Sequence, residues 1–198
     1  MRWKSTTDRY STLSIVMHWL MLLLLVATYA CIELRELYPK GSDPREAFKQ
    51  WHFMLGLAVF ALVWLRLALR MAGASPKVRP AAGRWQHRLA VVVHLVLYIF
   101  MIVMPLLGWL LLSAEGKPVP FFGLELPALV GTDAAFADSI GAVHVTVGTI
   151  GYYLVGLHAV AALFHHYVLR DNTLLLMLPR SRRSQGGRES IHSGGELQ

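Results

Sequence analysis

The chain has 198 residues, of which 55% are hydrophobic and 16% charged, and this composition is too apolar for a soluble domain. Its 19 Lys and Arg outnumber 12 acids, an excess that is typical either of nucleic-acid binding or of membrane topology, depending on where the bases lie. A single cysteine, Cys31, excludes an internal disulfide, a C-x-x-C-H haem attachment motif and a cysteine-ligated iron–sulfur cluster.

Four stretches are apolar and long enough to cross a bilayer, for which about 20 residues suffice. In chain order they are 13–32, 50–70, 89–114 and 138–170. The second ends with Arg66 and Arg70, whose long side chains we expect to reach the membrane surface. The fourth holds no charge from Ser139 to Leu169. The sequence therefore predicts an all-α integral membrane protein, a four-helix bundle.

Polar segments connect and follow the predicted spans. Residues 33–49 mix four acids with four bases and contain two prolines, which predicts an exposed loop. Residues 115–138, with three prolines and several aromatic residues, are expected to fold back onto the membrane surface as a lid. The residues after 180 are rich in Ser, Gly and Arg and are predicted to be disordered. The predicted domains are thus a membrane domain, 1–180, and a tail, 181–198.

The bases are distributed unevenly between the two sides of the predicted bundle. Fourteen of the 19 lie in the amino-terminal segment, the second connection and the carboxy-terminal segment, and five lie in the other two connections. Because cytoplasmic segments are enriched in Lys and Arg, both termini are predicted to be cytoplasmic. Topology accounts for the basic excess, and no nucleic-acid partner is predicted.

Histidines recur along the fourth span. His144, Gly151, His158 and His165 follow one another at intervals of seven residues, which nearly close two helical turns and place all four on one stripe. His144 and His158 are about 21 Å apart along a helix axis, which leaves room for two porphyrins. Gly148 and Gly151 lie between them, where a flat ring can approach the backbone. The stripe predicts one axial ligand for each of two haems; the alternative is a packing stripe of hydrogen-bonded histidines.

Two more histidines lie at matching depths. With both termini cytoplasmic, His144 is at the periplasmic level and His158 at the cytoplasmic level. His18, in the first span, matches His158, and His52, in the second, matches His144. We therefore predict two non-covalent haem b groups, each held by two neutral imidazoles, so that all four histidines are iron ligands.

Other histidines leave alternatives open. His94 lies near the cytoplasmic level, where it is an alternative iron ligand, a quinone contact or a hydrogen-bonding group within the bundle. His165 and His166 lie near the headgroups, where polar side chains are tolerated. A quinone-site or proton-transfer role is one interpretation of this group.

Four segments of the chain resemble the bacterial di-haem cytochrome b561 family. They are LSIVMHWL, WHFMLG, HLVLYIFMIVMPLLGW and VHVTVGTIGYYLVGLHAVAALFHHYVLRDNTLLLMLP, of which the last is the most specific. The resemblance covers almost the whole chain, apart from a longer tail. In this family, and in related cytochrome b subunits of hydrogenases and formate dehydrogenases, ligands come from helices one and two and twice from helix four. Those positions match His18, His52, His144 and His158.

The resemblance also implies an activity. Close relatives look like superoxide oxidases of the bacterial inner membrane, which take an electron from periplasmic superoxide, pass it to ubiquinone and require no protein partner. The bases Arg45 and Lys49, with Trp51, lie near His52 and are the predicted point of access for superoxide. The alternatives are an electron-transfer subunit of a larger respiratory dehydrogenase or hydrogenase, which short polar loops favour less, and a structural bundle without a cofactor.

Overall fold

Four long helices make up most of the chain in the computed structural model, which describes residues 6, 8–81 and 83–179. In chain order they are α1 Thr12–Leu34, α2 Asp43–Ala72, α3 Arg84–Ala114 and α4 Ala134–Tyr167, and a short helix α5, Thr173–Leu176, follows them. Each of the four long helices is long and apolar enough to cross a membrane. The predicted helical membrane bundle is confirmed. The predicted tail, 181–198, lies outside the described residues.

Helix α2 begins seven residues before the predicted second span. Ser42 occupies the N-cap position, and Pro44 lies in the first turn, where its fixed φ suits a helix start. Asp43 and Glu46 in the same turn interact favourably with the positive end of the helix dipole. The loop predicted over 33–49 is therefore wrong from 43 onwards, because Pro44 starts a helix and does not form a turn.

A β-hairpin lies where the sequence predicted a surface lid. Strand β1, Val119–Phe121, pairs antiparallel with β2, Leu124–Leu126. Phe122 and Gly123 between them both have positive φ, as a two-residue hairpin turn requires. Val119 is buried against apolar side chains of α2 and α3. These short strands are the part of the fold that the all-α interpretation missed, and they cover one end of the bundle.

Helix α4 stands apart from two of its neighbours. The backbones of α1 and α2, of α2 and α3, and of α3 and α4 approach closely. Within the described helices, however, no Cα of α4 lies within 8 Å of a Cα of α1 or α2. Only side chains cross this gap. The buried core beside it consists of Met21, Val59, Val63, Phe100 and Met101.

Gly151 is the position on α4 where side chains from two other helices meet the backbone. A Cβ built there would lie 2.3 Å from Phe100 Cζ and 2.3 Å from Tyr29 Oη. Tyr29 crosses from α1, and its hydroxyl donates to the carbonyl of Gly148 at 2.7 Å. The flat rings that approach Gly151 in this structure are thus those of Phe100 and Tyr29. A role of Gly148 and Gly151 beside a haem stays a prediction.

Gly151→Ala is therefore expected to lower the free energy of unfolding by about 1–3 kcal/mol, because two aromatic rings must shift to admit one methyl group. The measurement is the change in Tm in detergent micelles. Gly156→Ala is the matched control on the same helix, since its added Cβ meets nothing within 4 Å and Ala favours a helix over Gly. Equal Tm values for the two variants would contradict this account of the packing.

Candidate functional site

Four histidines form two pairs across the gap beside α4. The ring centroids of His52 on α2 and His144 on α4 are 6.2 Å apart, with an interplanar angle of 78°. Those of His18 on α1 and His158 on α4 are 6.3 Å apart, at 64°. Each pair joins α4 to a helix whose backbone stays distant from it. The structure thus brings together the histidines that the charge distribution placed at common depths.

The separation within each pair suits a six-coordinate iron. A metal–imidazole bond is about 2.0 Å long and the ring centroid lies about 1.1 Å behind the nitrogen, so two axial imidazoles have centroids about 6.2 Å apart. Among the described residues, no group of three or more His, Cys, Asp or Glu could hold a bare metal ion. A porphyrin iron already has four nitrogen ligands and needs only two more. The paired histidines therefore fit haem.

Within the His52–His144 pair, His52 has the hydrogen bond that an iron ligand needs, whereas Nδ1 of His144 is buried and has no hydrogen-bond partner among the described residues. His52 Nδ1 donates to the carbonyl of Thr28 at 2.9 Å, because a carbonyl only accepts. The opposite nitrogen, Nε2, then keeps its lone pair for a metal. His144 lies against Gly108 of α3, where an added Cβ would be 3.3 Å from its Cε1. Sequence reasoning missed Gly108, although its segment belongs to the quoted family motif.

The His18–His158 pair has a different neighbour. Arg66 Nη2 donates to His18 Nδ1 at 2.7 Å. A guanidinium has no acceptor, so His18 Nδ1 accepts and the ring proton is on Nε2 in this arrangement. Arg66 does not extend to the membrane surface as expected from the sequence, because its helix position turns it toward His18.

His94 on α3 stands next to the second pair. Its ring centroid is 5.2 Å from that of His158, and its Nδ1 donates to the carbonyl of Ala90 at 2.6 Å. That separation is about 1 Å shorter than two axial ligands require. The geometry favours His18 over His94 as the partner of His158, and leaves His94 beside the site.

The chain folds back at the end of α4 and places a carboxylate on His165. Arg170 has a φ of +54°, and the Asp171 amide donates to the His165 carbonyl at 3.1 Å. His165 Nδ1 then donates to Asp171 Oδ2 at 2.6 Å. Burial opposes ionisation of Asp171, which is 6% exposed, but hydrogen bonds from His165 and Thr173 outweigh it and lower its pKa. Sequence reasoning missed Asp171, the first acid after the uncharged span.

The residues predicted for superoxide access lie at one end of the bundle in different environments. Arg45 is only 8% exposed, and its guanidinium binds the Glu36 carboxylate at 2.9 and 3.0 Å and the carbonyls of Arg35 and Tyr38. The expectation of an exposed loop cation at this position is wrong. A buried guanidinium needs such partners, and the 3-10 turn at 35–37 supplies them.

Lys49 and Trp51 are more accessible than Arg45. Lys49 lies one turn before His52 on α2 and forms an ion pair with Glu46 at 2.8 Å. Trp51 is 48% exposed and its ring contacts Phe122 of the hairpin, with centroids 6.4 Å apart. These two side chains and the hairpin frame the end of the bundle next to the His52–His144 pair.

A membrane-spanning helical bundle with two histidine pairs at two depths defines the class of transmembrane b cytochromes. The chain belongs to the prokaryotic cytochrome b561 family, whose family model matches residues 9–180. The resemblance identified from the sequence motifs is confirmed. Membership makes it a multi-pass bacterial membrane protein that carries electrons and implies haem b as its cofactor.

Relatives match it along nearly their whole length. The chain is 38% identical over 175 residues to cytochrome b561 homolog 1 of Escherichia coli (strain K12), covering 88% of this chain and 99% of that protein. It is 37% identical over 174 residues to the probable superoxide oxidase CybB of Yersinia pestis, covering 88% and 98%. Cytochrome b561 homolog 2 of Escherichia coli (strain K12) is 26% identical over 187 residues, covering 94% and 100%.

We predict that His52→Ala or His144→Ala removes one haem, that His18→Ala or His158→Ala removes the other, and that His94→Ala leaves both. The reason is the separation of the ring centroids. Haem per polypeptide after acid–acetone extraction measures each case. If His94→Ala loses a haem while His18→Ala keeps two, α3 supplies a ligand and the assignment fails.

Proposed function

We propose that this chain is a di-haem b cytochrome of the bacterial inner membrane that oxidises periplasmic superoxide and reduces ubiquinone. The observation that carries the proposal is the presence of two histidine pairs, with centroids 6.2 and 6.3 Å apart, at two levels of one membrane-spanning helix. The relative called a probable superoxide oxidase, 37% identical over nearly its whole length, supports superoxide as the electron donor.

In this proposal two haem b groups are bound without covalent attachment, one by His52 and His144 and the other by His18 and His158. When bound, haem supplies reversible one-electron transfer. His144 and His158 are about 21 Å apart along α4, and the hydrocarbon layer is about 30 Å thick. The two sites together therefore extend over most of the membrane. The Thr28 carbonyl holds His52 in the tautomer that leaves Nε2 free.

Superoxide reacts, in this proposal, at the end that carries the hairpin. With both termini cytoplasmic, the His52–His144 pair lies toward the periplasm. Each superoxide gives up one electron and leaves as dioxygen. Lys49 attracts the anion, and its ion pair with Glu46 limits the effect. Trp51 provides an exposed aromatic surface there. The Arg45 guanidinium is paired with the Glu36 carboxylate, and its contribution is to stabilise the 3-10 turn at 35–37.

Ubiquinone is reduced at the opposite end and takes up two electrons and two protons, so two superoxide ions are consumed for each quinone. His165 lies one heptad beyond His158, about 10 Å along the helix. Asp171 accepts from Nδ1 of His165 and fixes the orientation of the ring, which in this proposal passes a proton to the quinone. The chain thus supplies both half-reactions, and no protein partner is required.

Stopped-flow mixing of the oxidised protein with superoxide tests the proposal, with the haem absorption as readout. We expect haem reduction by superoxide and reoxidation by added ubiquinone. Lys49→Glu should slow the first phase several-fold at low ionic strength, and the difference should shrink in 1 M salt, where the Debye length is about 3 Å. Lys77→Glu, in the loop between α2 and α3, is the matched control and should have no effect. If superoxide fails to reduce the wild-type haems, the electron-transfer-subunit alternative replaces this proposal.

Asp171→Asn should slow haem reoxidation by ubiquinone about tenfold, because His165 loses the carboxylate that orients its ring for proton transfer. The same variant should keep the wild-type rate of reduction by superoxide, which occurs at the other end. Double-mixing stopped flow separates the two phases. Asp133→Asn, at the N-cap of α4, is the control for a lost carboxylate at a helix end. Unchanged reoxidation in Asp171→Asn would exclude this proton donor.

A further inference from the structure

Arg66 is a cation inside the bundle that forms no ion pair with a carboxylate among the described residues. Its Nη2 donates to His18 Nδ1, whereas its Nη1 is buried and has no hydrogen-bond partner. Among the described residues, every ion pair within 4.0 Å involves other cations. A charged side chain in this position is destabilising unless an anion compensates it. The described residues supply none within 4.0 Å of Arg66.

The position of Arg66 in the sequence places it at the level of the His18–His158 pair. It follows His52 by fourteen residues on α2, the interval that separates His144 from His158 on α4. Val59, halfway between them, is almost completely buried. Arg66 therefore lies on the same stripe of α2 as His52. It is at the level of the His18–His158 pair, whereas His52 is at the level of its partner His144.

The contact between Arg66 and His18 is incompatible with iron binding through Nε2 of His18. With iron on Nε2, a neutral imidazole carries its proton on Nδ1. That proton would face a guanidinium that can only donate. Binding of haem therefore releases Nη2 from His18, and both terminal nitrogens of Arg66 then need an acceptor.

We propose that Arg66 binds a propionate carboxylate of the haem at the His18–His158 site. The inference rests on the proposed di-haem function and names the residue that anchors one haem. Two parallel N–H donors match a carboxylate in geometry and charge. A lipid phosphate is the competing anion, but Nη1 is buried within the bundle and is not on its lipid-facing surface.

The test is titration of apoprotein in detergent micelles with haem b and with its dimethyl ester, in which both propionates are neutral. A His52→Ala background leaves only the His18–His158 site to fill. We expect Arg66→Met to weaken haem binding at this site roughly a hundredfold, as expected when one partner of a buried charge pair is left alone. Arg66→Lys should recover part of the loss. The ester should bind the protein that keeps Arg66 about as weakly as haem binds Arg66→Met. Its affinity for Arg66→Met should be little lower than the affinity of haem for the same variant.

Arg70→Met is the matched control, because Arg70 lies one turn further along α2 and donates to Ser75. It should bind haem and ester as the parent protein does. Equal affinities for haem and ester in the presence of Arg66, or unchanged haem affinity in Arg66→Met, would overturn the inference and leave the lipid phosphate or a packing role. If Arg66→Met fails to fold, the ester comparison on the parent protein decides. A wild-type chain that binds no haem would overturn the proposed function as well, whereas two haems with no discrimination would overturn this inference alone.

Discussion

Polar side chains within a membrane-spanning bundle must find partners, and that constraint organises this structure. An imidazole or a guanidinium facing hydrocarbon loses its hydrogen bonds to water, which costs several kcal/mol unless another group replaces them. From Ser139 to its end at Tyr167, helix α4 has no Asp, Glu, Lys or Arg, and His144 and His158 lie within this stretch. Each meets a histidine from another helix, and both meetings occur where the backbones stay more than 8 Å apart. The gap and the polar pairs are thus two aspects of one arrangement.

Aromatic side chains keep that gap at a defined width. The rings of Tyr29 on α1 and Tyr152 on α4 pack with centroids 4.1 Å apart at a tilt of 37°, and the Tyr152 hydroxyl donates to Glu33 at 2.6 Å. Together with the bond from Tyr29 to Gly148, these contacts tie α4 to α1 between the two histidine levels. Gly151 is the position that lets the rings fit. Packing in the middle of the bundle therefore positions the histidines at both ends.

Residues 171–177, which follow α4, connect helices at the end of the bundle opposite the hairpin. Asn172 exchanges hydrogen bonds with the backbone of Arg79, and Trp19 on α1 donates to the carbonyl of Met177. Asp171 in the same segment is held on His165. A short stretch after α4 thus joins three parts of the bundle and holds the Asp171 carboxylate on the imidazole of His165.

Periodicity and charge placement predicted the four long helices and the common depths of His18 with His158 and of His52 with His144, because these depend on positions along the chain alone. The hairpin was not predictable in this way, since its short strands are stabilised by burial of Val119 against α2 and α3. The inward-facing environments of Arg45 and Arg66 were not predictable from spacing either. Whether a long basic side chain reaches water or turns inward depends on the rotation of its helix against its neighbours. The contact of Asp171 with His165 depends on the reversal of the chain at Arg170, which spacing along the sequence does not predict.

Electron paramagnetic resonance of the oxidised wild-type protein tests the central claim most directly, because it reports the axial ligands of each iron. Two imidazoles at both irons predict two low-spin ferric signals of equal intensity. The steep interplanar angles of 78° and 64° predict that neither has parallel ligand planes. A stoichiometric high-spin signal, or a single low-spin centre per polypeptide, would contradict the account of two bis-histidine sites on α4.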